Sequence, residues 1–165
     1  MSVFADVRST MVRDLEGFVA ELHAYPDEAS VWALPPGFLN SGGTLALHAA
    51  GNIRHFVGAV LGETGYVRDR DREFAARGVP RAELVAELEA ARADVDGILR
   101  VLDPERAYET FPVRIGGEQL GTSRVLVHLA THLAWHLGQV DYHRRAVCAV
   151  ATSVGAVGLK ALQGD

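Results

Sequence analysis

Seven histidines are the side chains of this chain best suited to chemistry, and their spacing is uneven. His128, His132 and His136 recur at four-residue steps within one stretch. On a helix, such residues lie one turn apart and about 40° around the axis, so two adjacent imidazoles can converge on one metal ion, as in helical zinc sites with histidines at i and i+4. All three cannot easily do so, because the first and last differ by about 80° and ~12 Å along the axis. The spacing therefore predicts two adjacent ligands here, leaves open which pair, and requires a third from another helix. His48 is the best candidate. It interrupts the apolar run Leu45-Ala46-Leu47-His48-Ala49-Ala50, where an inward imidazole needs a partner. His55, seven residues on, faces a similar side and ranks second. A lone inward histidine is more often a hydrogen-bonded core residue than a ligand; a spaced pair plus a third on a separate apolar helix brings the two readings level. Three neutral imidazoles would leave a zinc-like ion with an open position, able to activate a bound water or thiol.

Other candidates carry less. Gln139, three residues after His136, is expected to support a ligand or a bound water, or else to be a polar edge residue. It cannot act as a general base, since an amide does not titrate near neutral pH. No catalytic protein side chain is assigned. His23 and His143 sit near helix ends and are expected to face solvent. Trp135 should diverge from its histidine neighbour by about 100° and is expected in the core or at a dimer contact. The run Arg68-Asp69-Arg70-Asp71-Arg72-Glu73 alternates in sign and reads first as a solvated, self-paired surface, with a pocket rim as the alternative. No glycine-rich loop followed by Lys-Ser or Lys-Thr is present, and Cys148 has no compelling partner.

The elements that must position these residues follow from periodicity and punctuation. Helices are predicted from about Ser2 to Ala24, Thr44 to Gly62, Pro80 to Leu102, and from Thr122-Ser123 to at least Arg145. Pro80 suits a first helical position and Thr122-Ser123 an N-cap. Residues Val31 to Gly43 read as irregular. Tyr108 to Gln119 alternate around Gly116-Gly117 and predict a short β-hairpin before the last helix. The tail beyond Cys148 is left open between a last short helix and partial disorder. The expectation is an all-α antiparallel four-helix bundle forming a single domain over 1–165.

Composition bounds the function. With 165 residues, 48% hydrophobic and 22% charged, the chain can bury a sizeable core. A net charge of -5 argues against nucleic acid, which needs a concentrated basic face. One cysteine excludes an internal disulfide and fits a reducing compartment. Met1 to Leu15 is charged rather than signal-like, and Ala146 to Leu159 is too short for a membrane span, so a cytoplasmic location without membrane attachment is expected.

Taken together, Leu47-His48-Ala49-Ala50-Gly51-Asn52-Ile53-Arg54 and His132-Leu133-Ala134-Trp135-His136-Leu137-Gly138-Gln139 resemble the DinB/YfiT-like superfamily. The similar branch also carries the Asn40 to Gly43 loop and the Arg68 to Phe74 segment, and the resemblance spans nearly the whole chain. It implies a four-helix bundle with zinc or nickel on His48, His132 and His136, support from Gln139 and Asn52, water at the open position, and a homodimer. Some relatives are thiol S-transferases using a low-molecular-weight thiol such as bacillithiol or mycothiol. The expected function is thus a metal-dependent S-transferase or hydrolase acting on a small molecule. The alternatives are a non-catalytic metal-binding or stress-response module, and a metal-free helical dimer. A fourth protein ligand, His55 or His128, would favour the module.

Overall fold

The computed structural model describes residues 2–154 and 158–162, and these are mostly helical. In chain order the α-helices are α1 (Val3–His23), α2 (Glu28–Trp32), α3 (Gly42–Ile53), α4 (Arg70–Ala75), α5 (Arg81–Val101) and α6 (Thr122–Cys148). α3 runs on without a break into a π-helical segment, Arg54–Leu61. Short 3₁₀ turns lie at Pro104–Tyr108 and Leu159–Leu162. Part of the tail beyond Cys148 lies outside the described residues. No described helix is long and apolar enough to cross a membrane.

α1 begins where the Ser2 side chain accepts from the Ala5 amide. Its buried stripe is Phe4, Val7, Met11, Leu15, Phe18 and Leu22, while Val3 and Val19 lie at the stripe's edges, half-buried. α5 buries Leu84, Leu88, Ala91, Val95 and Leu99 at the same period. Burying each such large side chain contributes about 1.5–3 kcal/mol. α1 packs against α5 and α6, and α3 packs against the same two helices.

α3 differs from the others in being buried on every side, from Gly42 to Ile53. Half of its residues are glycine or alanine. Small side chains let α4, α5 and α6 all approach it closely, and this brings groups from different parts of the chain onto His48.

Three local expectations shift. Pro80 is the N-cap of α5 rather than its first residue, which suits a residue without a free N–H. Gly121 is the N-cap of α6, with no side-chain cap, and Thr122 and Ser123 are already helical. The stretch from Val31 is irregular only after Trp32, because an Asp27–Ser30 capping box holds the extra turn α2. The 108–121 segment makes two isolated antiparallel bridges, Thr110 with Gly121 and Ile115 with Glu118, joined through Gly116 and Gly117 at positive φ. Phe111 from this segment is fully buried.

Candidate metal-binding site

His48, His132 and His136 each offer one ring nitrogen, and these nitrogens lie within 4.8 Å of one another. Ring centroids are 5.2 Å apart for His48–His132, 5.0 Å for His48–His136 and 4.4 Å for His132–His136, with interplanar angles of 80°, 87° and 87°. Three mutually near-perpendicular imidazoles point at a common space instead of stacking. The His132 and His136 Nε2 atoms are 3.0 Å apart. Ligand nitrogens around a tetrahedral zinc at about 2.0–2.1 Å stand roughly 3.4 Å from each other, so small side-chain adjustments suffice.

The protonation states suit such a role. Burial, then the neighbouring His136, His48 and His128 and Arg68, pushes His132 down to about 4. Burial also lowers His136, against the opposing hydrogen bond to Gln139 and with a smaller contribution from His48. Both rings are therefore unprotonated at neutral pH, as metal ligands must be.

Two of the rings are oriented from behind. The His136 Nδ1 lies 2.7 Å from the Gln139 Oε1; an amide oxygen only accepts, so Nδ1 carries the proton and Nε2 keeps its lone pair. The His48 Nδ1 donates to Glu73 Oε2 at 3.0 Å. Glu73, buried on α4, also accepts from Arg68 Nε at 2.7 Å and from a terminal nitrogen of Arg68 at 2.8 Å. Burial alone would raise this carboxyl, but the hydrogen bonds from Arg68 and His48 outweigh it and hold Glu73 below the usual range. Gly51 makes the approach possible, since a Cβ there would collide with the Glu73 carboxylate. Phe74 closes the His48 ring from the side, at 4.9 Å between centroids.

The remaining candidates separate. Asn52 is buried one turn beyond His48, makes no hydrogen bond to the three histidines, and has an Oδ1 without a partner. His128 is exposed, its ring 6.0 Å from that of His132, and is not in the group. His55 lies in the π-helical segment, packed on Phe56. Trp135 is exposed on α6 and not in the core. Cys148 lies apart, beside Arg144 and Val150.

Two expectations are corrected. The Arg68–Glu73 run is not wholly a solvated surface: Asp69, Arg70, Asp71 and Arg72 are exposed, but Glu73 turns inward to His48. Its signal was the change of hydropathy at Phe74, which marks the inward side of α4. His143 is not solvent-facing but fully buried, bonded to the Tyr25 hydroxyl at 2.7 Å and the Ala33 carbonyl at 2.8 Å. It sits well before the end of α6, whose last turn extends to Cys148.

An all-α chain that gathers three imidazoles from two helices, where they could hold a metal ion, has the architecture of the DinB/YfiT-like class. The family model described as Mycothiol-S-transferase matches residues 5–148, and the chain belongs to that family, itself a branch of the DinB/YfiT-like metalloenzyme superfamily. No curated protein and no solved structure matches the chain.

Proposed function

We propose that the protein is a divalent-metal-dependent thiol S-transferase, with zinc or nickel held by His48, His132 and His136 and a low-molecular-weight thiol as one substrate. The observation that carries this reading is the convergence of three histidine ring nitrogens, backed by Glu73 and Gln139. The family match supports the thiol. A divalent ion on these nitrogens would supply acidity, so that a thiol beside it gives up its proton near neutral pH.

The chain's own residues then position and polarise. Glu73 holds the His48 ring and keeps its Nδ1 protonated; Gln139 does the same for His136. The buried Asn52 Oδ1 offers an unused acceptor to a donor entering near His48. In the transfer itself the thiol loses its proton and its sulfur bonds to the electrophilic carbon. The leaving group departs with the bonding electron pair and takes up a proton, so no oxidant or reductant is needed. A protein nucleophile is not required.

On this reading α1, α3 with its π-helical continuation, α5 and α6 form an antiparallel four-helix bundle in one domain, the 108–121 segment being a rudimentary β-hairpin. The run of α3 supports it: Leu45 shares a cavity with Gln139 and Tyr142, whereas His48 meets His132 and His136, so α3 and α6 run in opposite directions. The exposed Trp135 supports a homodimer, and the single cysteine a cytoplasmic protein.

The test is elemental analysis of protein purified without a nickel column, with a mycothiol-conjugation assay on the same samples. About one zinc or nickel per chain, lost along with conjugation in His48→Ala, His132→Ala and His136→Ala, is the expected result. Wild-type protein that neither contains nor takes up either metal would overturn the reading.

A further inference from the structure

The run Arg68 to Glu73 brings cations as well as Glu73 to the edge of the three-histidine site. Arg68 meets Glu73 as a fork: Nε donates to Oε1 at 2.7 Å and Nη2 to Oε2 at 2.8 Å. A guanidinium holds its N–H donors in one plane and has a second fork, formed by Nη1 and the remaining proton of Nη2. That second fork has no acceptor among the described residues. Nη2 does lie 3.4 Å from His48 Nδ1, but this nitrogen is itself a donor to Glu73, so no bond forms there. The Arg68 side chain is 12% exposed, and Nη1 is open to solvent. A lysine would neutralise Glu73 as well but would have no second fork.

The unused edge sits among the histidines. Arg68 touches His48 on α3, and after burial its charge is among the influences that lower His132 on α6 and His55 on the π-helical segment. A second cation stands close by. Arg70 is exposed, and its guanidinium carbon lies 5.0 Å from the centre of the Phe74 ring, which closes His48 from the side. It precedes Phe74 by four residues and so shares its face of α4, and it has no carboxylate partner among the described residues.

The acidic residues of the run are turned elsewhere. Asp69 Oδ1 is committed to the Arg72 amide as the cap of α4. Asp71 precedes Glu73 by two residues, about 200° around the helix, and so faces away from His48. None of the three ring ligands is anionic, so nothing in that donor set offsets the charge of a divalent ion. An anion approaching the site therefore meets uncompensated cations.

We propose that Arg68, with Arg70 at the rim, binds a carboxylate carried by the electrophilic substrate. The free fork matches the two oxygens of a planar carboxylate, and a two-point bond fixes direction as well as position. Glu73 already holds Arg68, which reduces the ordering cost of binding. The carboxylate is held and not transformed: it anchors the electrophile while the thiol sulfur bonds to its carbon and the leaving group departs. The acceptors are thus small carboxylic acids that bear a displaceable group. This rests on the S-transferase reading above and concerns its second substrate.

The test compares para-(bromomethyl)benzoate with para-(bromomethyl)benzamide as acceptors for mycothiol on zinc-loaded protein. In both, the benzylic carbon takes the sulfur and releases bromide, and the thiol proton passes to buffer; only the remote group differs. After subtraction of the uncatalysed rate, kcat/KM should favour the benzoate at least about tenfold. Arg68→Lys should lower that ratio about tenfold and Arg70→Gln about threefold, the ratio cancelling any general loss of turnover. Arg70 is exposed and does not contact Glu73, so Arg70→Gln reports even where Arg68→Lys fails to fold. Benzoate titrated into metal-free protein and followed by NMR should bind wild type, and at least about tenfold more weakly in Arg68→Lys; benzamide should not bind. Protein that holds zinc and conjugates mycothiol, yet uses the two acceptors within about twofold of each other, overturns this inference alone. So does a preference unmoved in Arg70→Gln and in folded Arg68→Lys, or a metal-free wild type that ignores benzoate. Protein with neither zinc nor transfer of any thiol overturns the S-transferase reading and this inference with it.

Discussion

Glu73→Gln removes one negative charge from behind His48 while keeping the side chain's volume. In the structure that carboxylate accepts three short hydrogen bonds, at 3.0 Å from His48 and at 2.7 and 2.8 Å from Arg68. The glutamine can offer one carbonyl oxygen, and Arg68, with more charge and donors, competes for it. His48 would then face the amide nitrogen, which can only donate, and the ring would be driven toward the tautomer whose Nδ1 is unprotonated and whose Nε2 is blocked. Loss of such a supporting carboxylate typically lowers metal affinity 10–100-fold, or about 1.4–2.7 kcal/mol. The metal-free protein should also lose about 1–3 kcal/mol, because Arg68 is left half-buried without its counter-charge. Two measurements separate these effects: zinc competition against a chromophoric chelator, and urea unfolding of the metal-free protein. Glu73 is held below the ordinary glutamate value of 4.5, so its stabilisation is complete above that value and is lost as pH falls through the folded-state value. Wild type and Glu73→Gln should therefore differ at pH 7 and converge in acid. Zinc affinity within twofold of wild type, with His48 in its original tautomer by nitrogen NMR, would refute the argument that Glu73 orients this ring.

Other perturbations give independent checks. His132 and His136 are both lowered by burial, so the unfolded chain binds protons that the folded one refuses; stability and metal retention should fall as pH drops from about 6.5 toward 4, measured by thermal unfolding and metal release across that range. Gly51→Ala should push a methyl group against the Glu73 carboxylate, costing about 1–3 kcal/mol and reproducing part of the Glu73→Gln loss of zinc affinity. Tyr25→Phe leaves the buried His143 Nδ1 without its donor and should cost about 1–3 kcal/mol in chemical unfolding, with zinc affinity unchanged.

Much of this arrangement was legible in the sequence. The apolar period of α1 and α5, the Pro-Gly and Gly-Gly interruptions, and the four-residue steps of His132 and His136 are local properties, set by residues within a turn or two of each other. Such patterns locate helices and show which side chains share a face. They do not resolve ends well, and Pro80 and Gly121 each displaced a boundary by a single residue, because capping depends on backbone angles as well as residue type. Spacing alone could not choose between His128 and His136 as the partner of His132; the resemblance did, and the structure brings His136 and not His128 into the group.

What the sequence left hidden depends on contacts between distant segments. Glu73 lies 25 residues from His48 and closes an alternating charge run that looks entirely solvated, yet α4 docks on the small-residue face of α3 and turns this one carboxylate inward. Tyr25 and His143 are 118 residues apart, and nothing near His143 in the chain marks it as buried. The helices and the residue types able to do chemistry are therefore properties of the sequence by itself, because helical periodicity is a short-range effect. The orientation of His48 and the burial of His143 were decided only by tertiary packing, since each depends on side chains that become neighbours when the helices pack together.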